Sequence, residues 1–137
     1  MSHYEERLER DLLDIREQVA EMAGLVETAT KNAMHALQTG NNKLAAATVI
    51  EDHVINRSMR QIDQLCHKFI ALHLPSAGPL RMLSSVIRAN IELERIGDYA
   101  VTIARESLQL SSPPSGPMSR ELERVGSETY LMLSQSI

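Results

Sequence analysis

The sequence predicts an all-α protein: an antiparallel three-helix bundle, then a fourth helix beyond a Pro/Ser/Gly linker. Three observations carry this. Apolar residues recur at alternating steps of three and four over long stretches, the spacing of one helix face. The interruptions are few and rich in Gly, Pro, Asn and Ser. Aromatics are only 3% of the chain, with one Phe and no Trp, so the core must be aliphatic, which suits helices better than sheets.

The chain of 137 residues is long enough for one domain with a real core. A net charge of −4 argues against a nucleic-acid binder, which needs a basic face. Tyr4 to Arg10 is too charged for a secretory h-region. No run approaches the roughly 18 apolar residues of a membrane span. The expectation is a cytoplasmic protein without membrane insertion. The lone Cys66 has no internal disulfide partner and lies in an apolar helical pattern, as a small core residue would.

The first helix is expected from Tyr4 to about Gln38. Leu8, Leu12, Ile15, Val19, Met22, Val26, Ala29 and Ala33 form its stripe. Glu5, Glu6, Glu9 and Asp11 suit the positive end of the helix, and Gly40-Asn41-Asn42 stops it. Glu27 adjoins the stripe; as a solvated flank residue it would pair with Lys31. His3 and His35 read as surface.

The second helix is expected from Lys43 to about His73. Leu44, Ala47, Ile50 or Glu51, Val54, Ile62, Leu65, Phe69 and Leu72 form its stripe; Ile55, Met59, Cys66 and Ile70 widen it enough for two neighbours. Asp52 and Asn56 share a face four residues apart, where a carboxylate and an amide can offer oxygen ligands to a hard cation or simply be solvated. His53, His67 and His73 lack the spacing of a zinc helix. Leu74-Pro75-Ser76-Ala77-Gly78-Pro79 ends the helix, and Pro79 suits the first turn of the next.

The third helix is expected from Leu80 to about Leu110. Val86, Ala89, Leu93, Ile96, Ala100 and Ile103 read as its core stripe. A second stripe, Leu83, Ile87, Asn90, Glu94, Asp98 and Val101, is apolar at its ends and polar in the middle. Glu94 and Asp98, four apart, repel by a few tenths of a kcal/mol unless a cation or partner offsets them. A surface alternative pairs Asp98 with Arg95. Gly97 costs roughly 0.5–1 kcal/mol relative to Ala in a helix, and its missing side chain would let a ligand or partner approach the backbone.

Antiparallel packing about the turn at Ser76 or Ala77 sets Asp98 opposite about position 55 and Glu94 opposite about position 59. The turn near Gly40 brings Glu27 opposite about position 55 as well. Glu27, Asp52, Asn56, Glu94 and Asp98 thus fall at one level, and carboxylates from facing bundle helices are how metal sites of this kind are built.

Ser111-Ser112-Pro113-Pro114-Ser115-Gly116-Pro117 is a linker. Residues 1–110 are expected as the three-helix unit, 111–118 as the linker and 119–137 as the fourth helix, with Ser119 as N-cap. Leu122, Val125, Met132 and Leu133 give that helix an apolar face, so self-association into a homo-oligomer is expected.

The run Leu93-Glu94-Arg95-Ile96-Gly97-Asp98-Tyr99-Ala100, with Ile103-Ala104 after it, resembles the signature of PhoU proteins. Met22 to Glu27 resembles the family's first helix, Val49 to Asn56 its second-helix motif, and Leu74-Pro75-Ser76-Ala77 with Leu80-Arg81 its second turn. The resemblance spans about residues 8–108 in one order. It implies a three-helix repeat, of which family members carry two, with residues 119–137 resembling the start of the second. That leaves a fragment, a frameshifted chain, or a shorter relative that dimerises to rebuild the six-helix body. The family pattern has an acidic residue where this chain has Pro79.

The resemblance implies a cytoplasmic negative regulator of phosphate uptake and of the phosphate-starvation response. Its implied partners are the ATPase subunit of a phosphate ABC transporter and a sensor histidine kinase. Some members bind metal through an E(D)xxxD motif, which falls here on Glu94 and Asp98, with Asp52 and Asn56 as a weaker counterpart; iron, zinc, manganese or magnesium would each serve. No nucleophile triad or glycine-rich phosphate loop stands at usable spacing, so no enzyme is expected. Two alternatives stand beside this: a carboxylate metal-site enzyme, which lacks the Glu-x-x-His pairs of such bundles, and a purely structural helical dimer.

Overall fold

The computed structural model describes residues 2–136. They form α1 (His3–Thr39), α2 (Asn42–His73), α3 (Ala77–Gln109) and α4 (Gly116–Ser136). The first three helices pack on one another, and α4 lies along α1.

Each turn follows from local chemistry. Ser2 and Glu5 form a reciprocal capping box at the start of α1. Gly40 ends α1 in the left-handed region, φ 68°, and returns its N–H to the carbonyl of Ala36. Asn41 then caps α2, its side chain accepting from the Leu44 N–H at 3.0 Å. At the far end Leu74 is also left-handed, φ 42°, a conformation that costs a branched L-residue about 1–2 kcal/mol.

That strained end is held by a clamp that no spacing in the sequence signals. His73 is buried, with its Nε2 2.7 Å from Asp11 Oδ2 on α1. The Tyr4 hydroxyl donates to the His73 carbonyl, and the Phe69 ring lies 4.5 Å from the imidazole. The start of α1 is thereby tied to the end of α2. From there α3 begins at Ala77, three residues before the expected Leu80, with Pro79 still inside the first turn where no N–H is needed.

The buried lines differ from the expected stripes. On α2 the core runs Thr48, Ile55, Ile62, Phe69 at steps of seven, while Ile50 and Leu72 are exposed. On α3 it runs Leu83, Asn90, Gly97, Ala104, and Ala89 is exposed. Each helix touches two neighbours, so its deepest line falls between its two seams rather than along either. The stripe of α1 is the expected one, with Ile15, Met22, Val26 and Ala33 buried. Near the α1–α2 turn the buried members of the apolar cluster are alanines, Ala33, Ala36, Ala45, Ala100 and Ala104, with Leu44, Val49 and Ile103 packed against them. Small side chains there let the helices approach closely.

The linker is shorter than expected. Gly116, at φ 63°, turns the chain into α4 ahead of Ser119, and Pro117 takes a first-turn position where its missing N–H is harmless. Pro113 folds back on the first turn, 3.2 Å from where a Cβ on Gly40 would stand. None of the described helices is long and apolar enough to cross a membrane.

Cys66 is a core residue, and burial, with a smaller push from Asp63, raises its thiol to about 11. The fold therefore binds this proton more tightly than the unfolded chain, and stability falls as pH rises from about 9 to about 11. The loss should reach up to about 2–3 kcal/mol in urea melts and shrink in a Cys66→Ala variant. Alkylation at pH 8 should stay slow until the chain unfolds.

Candidate functional site: an acidic belt around the middle layer

The register expected from the turns is the one observed. A Cβ placed on Gly97 would lie 3.3 Å from Ile55 Cγ2, 3.4 Å from its Cδ1 and 3.9 Å from Val26 Cγ2. Val26, Ile55 and Gly97 thus form one layer through all three helices. Two turns away the buried Asn90 donates from Nδ2 to the carbonyl of Met59 at 2.9 Å. These two contacts set Glu94 and Asp98 level with the turns of α2 that hold Asn56 and Asp52.

The layer corrects the reading of Gly97. It is buried, and the group that approaches its backbone is Ile55 of the same chain. A close helix crossing, not a ligand, is what the missing side chain admits.

Of the five acidic or amide residues, Asp52 and Asn56 bond each other, while Glu27 bonds to α4. Asp52 Oδ2 accepts from Asn56 Nδ2 at 3.1 Å, while Asp52 Oδ1 is buried without a hydrogen-bond partner. Glu94 is half-buried and Asp98 exposed. Arg95 does not pair with Asp98; it bonds Glu92 at 3.2 Å. Among the described residues, Glu27 pairs with neither a cation nor the belt. Its Oε1 accepts from the Tyr130 hydroxyl at 2.8 Å and from Ser134 at 2.9 Å, both on α4. Lys31, its expected partner, sits instead over the Tyr130 ring, 5.9 Å from the centroid.

Glu27 is therefore the polar latch of α4. The carboxylate favours a protonated phenol, and Tyr130 is raised above the usual tyrosine value chiefly by that bond. Gly126 allows Met34 to lie against the helix, and Leu133 enters the main core. Sequence spacing could not find this, because 103 residues separate Glu27 from Tyr130.

The donors at the belt are oxygens, which suit a hard cation rather than a soft one. Among the described residues, no three His, Cys, Asp or Glu side chains are gathered as an ion-holding group. The buried Asp52 oxygen is the atom most in need of a donor or cation.

Comparison with known proteins follows this geometry closely. The PhoU domain model matches residues 19–107. The phosphate-specific transport system accessory protein PhoU of Edwardsiella tarda is 37% identical over 131 residues, covering 96% of this chain and 54% of that protein. The protein of the same name from Escherichia coli K12 is 34% identical over 131 residues, with 96% and 54% covered. The PhoU homolog of Pseudomonas aeruginosa is 32% identical over 136 residues, covering 98% and 56%. The crystal structure of PhoU from Pseudomonas aeruginosa superposes with a TM-score of 0.86 at 34% identity, covering 92% of this chain and 61% of that one. The chain spans about half the length of the curated relatives it matches.

Two measurements check the layer and the latch. Gly97→Ala should destabilise by about 1–2 kcal/mol in urea, because buried Ile55 has little room to withdraw. In an Ile55→Ala background the same change should turn stabilising, since the methyl then fills space and gains helix propensity. Glu27→Ala should speed amide hydrogen exchange across α4 while leaving α2 and α3 protected.

Proposed function

The chain belongs to the PhoU domain family, and on that premise we propose that it regulates phosphate transport and phosphate-starvation signalling through protein contact. In this reading it restrains uptake by binding the ATPase subunit of a phosphate ABC transporter and a sensor histidine kinase, on the cytoplasmic side, without turnover of its own. The observation that carries it is the match to PhoU accessory proteins along nearly the whole chain, at 32–37% identity. Rigid helical rods with charged outer faces suit a docking role, because binding at such a surface needs no cleft.

A metal ion at the belt is a separate part of the proposal, held by Glu94 and Asp98 with Asp52 and Asn56 level with them. Glu27 drops out of that set, since two hydroxyls of α4 already use its Oε1. An ion there would neutralise the Glu94–Asp98 repulsion and present a positive point to an acidic partner. Self-association through the exposed side of α4, where Met118 and Met132 stand out, completes the reading.

The reading is tested in a strain lacking its phosphate regulator. Expression of this chain should restore repression of a phosphate-starvation reporter under high phosphate. A reporter that stays fully on, with the chain folded and abundant, rejects it. Elemental analysis after chelator-free purification tests the ion: metal should co-purify with wild type and fall in Glu94→Ala and Asp98→Ala. Equal content in all three removes the ion while leaving the regulator standing.

A further inference from the structure

The side of the bundle away from α4 carries a feature that packing does not explain. Between α1 and α2 lies a groove of about 340 Å³, lined by Leu25, Ala29, Val54 and Ile55, with Val101 of α3 and polar Asn32 and Thr48 also contributing. That volume suits one large side chain of a partner. Above it Ile50 is 69% exposed, one turn from Val54, and Leu25 and Val54 are each 36% exposed. Residues 25, 50 and 54 therefore make a contiguous apolar patch across both helices, the arrangement that marks an interaction surface rather than scattered exposure.

The charged residues that line the groove have one sign. Glu51 and Asp52 also line the groove. The ion pairs among the described residues are made by His3, His67, His73, Arg95 and Arg124, and none reaches Glu51 or Asp52. An apolar groove edged by the Glu51 carboxylate, which no ion pair among the described residues uses, complements a segment that is apolar in its middle and basic at its flank.

We propose that this α1–α2 groove is the docking surface for an amphipathic helix of a partner protein. A bulky aliphatic side chain of that helix enters between Leu25 and Val54, and a flanking Lys or Arg meets Glu51. The proposal rests on the regulatory reading above and names which face of the bundle performs it. The groove lies on a different pair of helices from the α4 latch, so docking leaves the Glu27 contact intact.

The test uses the full chain and two purified probes, the transporter ATPase subunit and the cytoplasmic part of the histidine kinase, in a direct binding assay. Ile50→Ser and Glu51→Lys change exposed residues, so both variants should melt like wild type. Each should weaken binding of one probe by about ten-fold or more, as central contacts of an interface do. Glu51→Lys should also flatten the salt dependence of the association rate. Leu13→Ser, at an exposed residue about three turns along α1 from Leu25, should leave binding unchanged. Wild-type binding that both groove variants keep at full strength overturns the docking face and spares the regulatory reading. A wild-type chain that binds neither probe overturns both. Sedimentation showing a wild-type dimer that Ile50→Ser dissociates assigns the groove to a second copy of this chain and overturns the partner helix.

Discussion

Everything in this bundle is set by how closely α3 approaches α2 and α1 at Gly97. A Cβ at this position would crowd Ile55, 3.3 Å from its Cγ2, and make ordinary contact with Val26. The approach fixes the register of all three helices at their midpoint. The alanine cluster toward the first turn and the larger aliphatic cluster toward the second then follow from where the helices converge and diverge. A helix interior normally resists glycine because the unfolded chain gains freedom from it. Here the lost propensity is offset by packing that a methyl group would spoil.

The long-range order of the fold was legible in the sequence because long helices leave few ways to be wrong. Turn signals at Gly40 and at Pro75 to Pro79 fixed the antiparallel order, and equal counting from each turn fixed which residues would be level. Rotation about each helix axis was less legible. On α3 the stripe read as core is fully buried only at Ala100, and the buried line takes Leu83 and Asn90 from the second stripe and Gly97 and Ala104 from neither; on α2 it joins Ile62 and Phe69 of the main stripe to Ile55 and Thr48 beside it. Composition cannot separate the stripes, because the centre line of α3 contains an Asn and a Gly that hydropathy counts against it.

The belt shows where sequence reasoning reaches its limit. Level is a one-dimensional property and was recoverable; partner choice is three-dimensional and was not. Glu27 stands at the expected height yet faces α4, because Tyr130 and Ser134 present two hydroxyls to one carboxylate oxygen. Arg95 chose Glu92, three residues back, over Asp98, three residues ahead. Both belong to the same helix and the same spacing rule, so only the side-chain directions decide between them. The His73–Asp11 clamp had no signal at all, since its members lie on different helices in patterns that look like ordinary amphipathic surface.

The run Ile50 to Asn56 joins these threads. Within two turns of α2 it supplies a core residue at Ile55, a seam residue at Asp52, and outward residues at Ile50, Glu51 and Val54. Successive residues are turned by about 100°, so the three roles are locked to one another by helix geometry. Ile55 is in turn pinned against Gly97. The direction in which Ile50 and Glu51 project is therefore decided by a steric contact made by another residue of the same rigid helix. A docking face held in this way needs no loop to order and loses little entropy on binding, which favours affinity from a small patch. The physical link between the glycine at the centre of the bundle and the surface proposed to meet a partner is the rigidity of one helix.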